Sequence, residues 1–296
     1  MLRIIQNRKY YFFISGVLVL ASLISIGMFG LKLGIDFTGG SLMEITFLEN
    51  QPANNIVTEK LLPFELGEIN LQPAGEKDLI LRLKEVDEDT HQKILQTLED
   101  EFKGVEEQRF ESVGPVIGQE LKSRSFYGII MVLIAIISYI AFAFRKVSRP
   151  VASWKFGVAA IIALFHDVII PVGVFSLLGH YKGVEVGLLF VTALLTVLGF
   201  SVHDSIVVFD RIRETLRREG GAHFEGVANK SVNITIARSL NTSFTTLLVL
   251  VTIFLFGGET IKYFALTLII GIVAGTYSSI FIASTVLAWW EGRRKK

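Results

Sequence analysis

Cysteine is absent from the 296-residue chain. That excludes disulfides, thiolate metal sites and cysteine nucleophiles. It leaves the compartment open, because an extracytoplasmic domain can be built without them. Charge is scarce as well: 19% of residues are charged against 51% hydrophobic, with a mean hydropathy of +0.53. Such a balance excludes a soluble protein of this size, and long uncharged runs make the chain a polytopic membrane protein. The basic residues form no single patch of the kind that binds nucleic acid. The net charge of +1 decides nothing by itself; its distribution decides a great deal.

Six apolar runs lie at 10–31, 126–144, 156–178, 184–209, 240–256 and 263–290, each about the length a spanning helix needs. The first follows Arg3, Arg8 and Lys9, as a signal peptide's core would. It is longer than such a core and no small-x-small cleavage site follows it, so an uncleaved span is expected. Tyr10 and Tyr11 fall where an aromatic belt would lie. Arg145, Lys146, Arg149 and Lys155 separate the second and third runs. Segment 210–238, read as a cytoplasmic loop, carries Arg211, Arg213, Arg217, Arg218, Lys230 and Arg238, and Arg293 to Lys296 end the chain. The alternate connections, 180–183 and 257–262, are nearly free of such clusters. Positive charge collects on the cytoplasmic side, which assigns both termini to the cytoplasm and residues 32–123 to the outer face.

Within 32–123 the character changes, with frequent charges and no run long enough to span. Strand-like composition at 42–48, 68–72, 78–84 and 105–113 alternates with helical spacing at 54–62 and 88–102. The order β-α-β-β-α-β predicts a small α+β, ferredoxin-like domain.

Few polar groups interrupt the apolar runs. Asp204 sits inside the fourth, and an ionised Asp in hydrocarbon costs at least about 2.5 kcal/mol on the most lenient scales. Unless it snorkels from a helix end, such a group serves a function and needs a partner. Arg238, opening the fifth run, is the natural counter-charge. A cation favours the charged carboxylate and burial the neutral acid, so a group held between them can load and release a proton. Ser205, Thr235, Asn241, Thr242 and Ser243 are placed to hold the water that feeds it. The alternative is a static ion pair that fixes helix register. His203, His166 and Asp167 complete the set. Neighbouring helix residues point about 100° apart, so neither His-Asp dipeptide is expected to present both groups to one ion, and no metal site is assigned. Pro171, four residues after Asp167, predicts a kink that frees the Asp167 carbonyl, functional or merely structural. Gly271 and Gly275 form a small-xxx-small seam for close helix packing.

Three stretches resemble the signatures of the SecD/SecF family of translocation accessory proteins. They are Gly34-Ile35-Asp36-Phe37-Thr38-Gly39-Gly40 after the first span, Val113-Gly114-Pro115-Val116-Ile117-Gly118-Gln119-Glu120-Leu121 before the second, and 201–214, with Ser201-Val202-His203-Asp204-Ser205, closing the fourth. One small external domain and the overall length resemble the smaller, SecF branch. The resemblance implies a six-helix bundle of the resistance–nodulation–division (RND) superfamily, paired with SecD in the bacterial cytoplasmic membrane. It implies work with the SecYEG channel on preprotein substrates, powered by the proton motive force, with protons as the coupling ion and no bound cofactor. It implies a transport subunit and no enzyme. It carries the proton path onto Asp204 and Arg238, with His203 and Asp167 as secondary candidates, and His203 stands where many relatives have Asn. A further family carboxylate belongs to SecD. Gly39 and Gly40 suit a sharp turn from helix to strand, with Asp36 expected to cap that turn. Three rivals remain: an RND-type small-molecule exporter subunit, which would need a larger external domain; an intramembrane metal hydrolase; and a passive scaffold for SecD.

Overall fold

Hydrocarbon offers a backbone no hydrogen-bond partner, so an apolar run closes its own bonds as a helix. The computed structural model describes residues 1–102, 104–143, 152–220 and 223–293. Arg145, Lys146 and Arg149 of the second connection, Phe144 at the end of the second run, and the terminal Arg294, Lys295 and Lys296 lie outside the described residues. In chain order the elements are α1 (Arg8–Phe29), α2 (Ile35–Thr38), β1 (Gly40–Phe47), α3 (Asn54–Leu61), β2 (Asn70–Pro73), β3 (Asp78–Leu83), α4 (Glu88–Glu101), β4 (Val105–Val113), α5 (Pro115–Ala143), α6 (Ser153–Lys182), α7 (Leu188–Glu219), α8 (Phe224–Phe256), α9 (Glu259–Ser278) and α10 (Ser284–Arg293). A π-helical turn, Ser279–Ala283, joins α9 to α10. Among the described residues six helices are long and apolar enough to cross a membrane: α1, α5, α6, α7, α8 and the continuous rod from α9 to α10.

The chain divides into two units. One comprises residues 32–127 with 185–188; the other holds the remaining helices. In the first, β1 is central and pairs antiparallel with β3 and β4, and β2 extends the sheet beyond β3, giving the order β2-β3-β1-β4. This is the expected ferredoxin-like α+β arrangement. Alternation along β1 and β3 turns Met43, Ile45, Phe47, Leu79, Leu81 and Leu83 to one face, where they meet Val57 and Leu61 of α3 and Ile94 and Leu98 of α4.

Glycines fix the start of this unit. Gly39 (φ 77°) and Gly40 (φ 121°) adopt conformations that L side chains avoid. A Cβ on Gly39 would lie 2.7 Å from Pro115 Cα, and one on Gly118 would lie 2.9 Å from Gly39 N. Two of the three sequence signatures therefore pack backbone against backbone. Asp36 does not cap its own turn. Its Oδ2 accepts the Leu188 N–H at 2.7 Å and so caps the beginning of α7, which carries Asp204. Sequence reasoning missed this because the two residues are 152 apart. Segment 185–188 is held further by the Val186 N–H to Lys32 O (2.8 Å), the Gly34 N–H to Val186 O (3.0 Å) and the Arg82–Glu185 ion pair at 2.8 Å.

In the helical unit, segment 210–238 is no loop. α7 runs on to Glu219 and α8 begins at Phe224. Charged residues past the apolar run are good helix formers and pair along the helix, as Arg211–Glu214 (2.5 Å) and Arg218–Glu214 (2.7 Å) do. Ile212 and Leu216 still pack against Phe224, Val227 and Val232. Gly220, at φ 76°, ends α7. The residues before α1 dock here too: Ile4 and Ile5 are buried, and Asn229 accepts both their N–H groups (2.9 and 3.2 Å).

Small residues let helices approach. A Cβ on Gly271 would lie 2.2 Å from Val197 Cγ2, and one on Gly275 would lie 3.1 Å from Ser201 Cβ, so the glycine seam seats α9 on α7. Pro171 lies inside α6, which stays helical through it. Two residues on, Gly173 meets Ser22 of α1, and Ser25 Oγ donates to Gly173 O at 3.1 Å.

Two outcomes are expected. Gly271→Ala drives a methyl into a β-branched neighbour and lowers bundle stability by about 1–3 kcal/mol, read as a shifted midpoint in detergent unfolding. Asp87 caps α4 by accepting the Thr90 N–H at 2.9 Å, and the Thr90 hydrogen bonds hold its carboxyl below its ordinary value of 3.8. A lowered folded value stabilises above 3.8 and loses that stability as pH falls through it. Asp87→Ala therefore melts at a lower temperature than the parent chain at pH 7. That gap closes in melts recorded well below 3.8.

Candidate functional site

Asp204 lies on α7 with 9% of its surface exposed. Its nearest partners are hydroxyls. Ser239 Oγ of α8 donates to Oδ1 at 2.5 Å, and Ser279 Oγ, the first residue of the π-helical turn, donates to Oδ2. Asp204 thus faces the bundle interior, and hydroxyls from two other helices stand in for water. Charge-assisted bonds of this kind are the strong ones.

A second carboxylate, on α6, sits nearby against the same face of α7. Asp167 of α6 has no exposed surface. Its Oδ2 accepts from Ser201 Oγ of α7 (2.5 Å) and Ser278 Oγ of α9 (2.7 Å). Its Oδ1 lies 2.9 Å from His166 Nδ1. Ser201 and Asp204 are three apart and share a helix face, and Ser278 and Ser279 are neighbours. The two carboxylates are thereby served by adjacent residues of one chain turn, at a π-helical segment of the type common at functional sites.

The expected ion pair between Asp204 and Arg238 is not formed. Ser239, and not Arg238, faces Asp204, and the preceding helix residue points about 100° away. Arg238 is exposed and forms no ion pair among the described residues. It lines a polar cleft of about 450 Å³ with Asp210, Arg211, Glu214 and Thr235. His203 is also exposed, turned away from Asp204. His166 and Asp167 meet each other directly, Nδ1 to Oδ1 at 2.9 Å. Of the hydroxyls expected to hold water, Ser243 bonds to Thr276 Oγ (2.5 Å), while Thr235 and Thr242 donate to carbonyls of their own helix. Sequence reasoning missed Ser201, Ser239, Ser278 and Ser279. Their one signal was hydroxyls recurring in otherwise apolar runs, a pattern shared with hydroxyls that merely bond back to the helix.

Removing a donor leaves a buried carboxylate short of a bond, at about 1–3 kcal/mol. Ser239→Ala is expected to lower bundle stability by that amount. Arg238→Gln, losing no partner, is expected to stay within about 0.5 kcal/mol of the parent. Side-by-side detergent unfolding measures both, and equal losses would contradict the site as described.

Comparison with known proteins shows the family. The family model described as protein export membrane protein SecD/SecF, C-terminal, matches residues 93–293, and the SecD/SecF GG motif matches residues 24–47. The protein translocase subunit SecF of Thermobaculum terrenum is 44% identical over 99% of this chain and 95% of that relative. That of Anaerolinea thermophila is 40% identical over 98% and 94%. Among solved structures, SecDF from Thermus thermophilus superposes with a TM-score of 0.84 at 30% identity, covering 98% of this chain and 38% of that one. A SecDF in its super-membrane-facing form gives 0.69 at 31% identity, covering 99% and 39%. The chain thus spans about two fifths of the solved SecDF chains and nearly the full length of the SecF relatives. With the glycine turn, the buried Asp204 and the six helices in place, the chain belongs to the SecD/SecF family of protein export membrane proteins, in its SecF branch.

Proposed function

We propose that this chain is the SecF subunit of a proton-driven translocation complex. It pairs with SecD in the bacterial cytoplasmic membrane, with both termini in the cytoplasm. It acts beside the SecYEG channel to draw preproteins outward. The observation that carries the reading is Asp204, a carboxylate inside a membrane helix whose hydrogen bonds come from hydroxyls of two other helices. A carboxylate serving only structure gains little from that position, since an apolar residue would fill the space at lower cost. A carboxylate that must exchange protons needs donors able to turn when it becomes neutral, and serine hydroxyls turn freely.

Protons are the coupling ion. One proton crossing a potential of about 150 mV releases roughly 3.5 kcal/mol, at about 2.3 kcal/mol per charge per 100 mV. That biases a two-state equilibrium several-hundred-fold. When Asp204 is loaded, Ser239 and Ser279 lose a charged acceptor, and the contacts among α7, α8 and the sixth span change together. α7 is one helix from Leu188, whose N–H is bound to Asp36, to Glu219, so a shift at Asp204 is passed along a continuous element. Arg238, at the polar cleft, supplies the positive charge that expels the released proton. A SecD carboxylate completes the path.

Asp204→Asn keeps the shape and removes the proton. In inverted vesicles holding the whole complex, this variant is expected to translocate preprotein only as fast as the parent does with the gradient collapsed. Full gradient-dependent translocation by a folded, assembled Asp204→Asn variant would sink the proposal.

A further inference from the structure

Asp204 leaves the neighbouring carboxylate without a task. Asp167 is fully buried, bound by two serine hydroxyls and by His166. An ionised carboxylate only accepts, so Nδ1 of His166 is the donor in their bond. The other ring nitrogen, Nε2, is buried and has no hydrogen-bond partner. A buried orphan nitrogen costs free energy. With the imidazole neutral and Nδ1 donating, Nε2 is its acceptor lone pair, and the opposite edge of the ring touches a carboxylate. That is the arrangement through which an imidazole passes a proton.

We propose that His166 and Asp167 form a second proton-loading site in this chain, joined to Asp204 by the adjacent hydroxyls of Ser278 and Ser279. The proposal rests on the proton-driven reading above and assigns it a further site. In loading, a hydronium ion gives one proton to His166 Nε2 and leaves as water. The Nδ1 proton passes to Asp167 Oδ1. The imidazole ends neutral as its other tautomer, and Asp167 ends as the neutral acid. Release runs the same steps backwards, with water as acceptor.

The link to Asp204 follows from counting protons. Ser278 Oγ lies 2.7 Å from Asp167 Oδ2 and 3.1 Å from Gly275 O. Ser279 Oγ lies within bonding distance of Asp204 Oδ2 and 3.1 Å from Thr276 O. Each hydroxyl has one proton and two acceptors. It donates to the carboxylate while that is charged and is released to the backbone carbonyl once the carboxyl is neutral. Both choices are made in consecutive residues where α9 passes into the π-helical turn, so each carboxylate senses the other through one stretch of backbone. The titratable groups packed around His166 and Asp167 are Tyr277, whose ring centre is 5.9 Å from that of His166, and Tyr11 of α1, which accepts the Tyr277 hydroxyl bond at its carbonyl (3.2 Å). Asp204 lies beyond the two serines. Among the described residues no Lys or Arg forms an ion pair with either carboxylate.

Infrared difference spectroscopy of the whole complex in lipid, between high and low pH, tests this directly. Two carboxylic-acid carbonyl bands from the membrane helices of this chain are expected, beside that of the SecD carboxylate. Asp167→Asn removes one, Asp204→Asn removes the other, and Ser278→Ala, which changes no charge, moves the midpoint of the Asp204 band by about one pH unit, the scale at which two sites titrate as a pair. Ser278→Thr restores the midpoint. A wild-type spectrum from Asp167→Asn overturns the proposal, as does an unmoved Asp204 midpoint in Ser278→Ala. Should Asp167→Asn fail to assemble, the Ser278→Ala midpoint decides alone. If Asp204→Asn abolishes gradient-dependent translocation while Asp167→Asn leaves the spectrum unchanged, only the second site fails. If Asp204→Asn translocates at full rate, the proton-driven reading fails with it.

Discussion

A carboxylate inside a bilayer has no water to bond with, so the protein must supply every donor it needs. Most of the helical unit follows from that one requirement. Asp167 and Asp204 are satisfied by hydroxyls from α7, α8 and the sixth span. A serine side chain is short, so the helices that carry these hydroxyls must lie close together. Gly271 and Gly275 make the approach of α9 to α7 possible, since a side chain at Gly271 would overlap Val197. Gly173 and Ser22 do the same for α6 and α1. In lipid no hydrophobic force drives helices together, so small residues and hydroxyl bonds supply both closeness and attraction.

The α+β unit uses different physics. Its sheet buries one alternating face under α3 and α4, and its charged residues stay at the surface or pair. Segment 185–188 belongs to this unit and is fastened by Asp36, by the Val186 backbone and by the Arg82–Glu185 pair. Both side chains of that pair are mostly withdrawn from solvent, which strengthens the attraction over that of a surface pair. The glycine signature is therefore more than a turn. It sets the backbone against Pro115, and the aspartate within it caps the helix that bears the buried acid.

Much of the architecture was legible because it depends on periods and composition. Apolar length gave the six helices, and alternation with helical spacing gave the four strands and two helices of the α+β unit within a few residues. Asp204 was legible because a lone acid in an apolar run is conspicuous. Segment 210–238 was misread because a charged sequence says where apolar surroundings end, while a helix with packed Ile212, Leu216 and Val232 continues beyond them. Arg238 was misplaced by pairing charges along the sequence. One helix position separates it from Ser239, and that 100° turn exchanges an expected ion pair for a hydroxyl bond.

By itself the sequence determined which stretches leave water and which acid is expensive to bury, because these depend on each residue's own transfer free energy. The tertiary structure alone decided which groups bear that expense. Ser239 and Ser279 meet Asp204, Ser201 and Ser278 meet Asp167, and Asp36 meets Leu188. Hydrogen bonds reach only about 3 Å, and no local pattern specifies which of many similar hydroxyls, tens or hundreds of residues away, packing will bring within that distance.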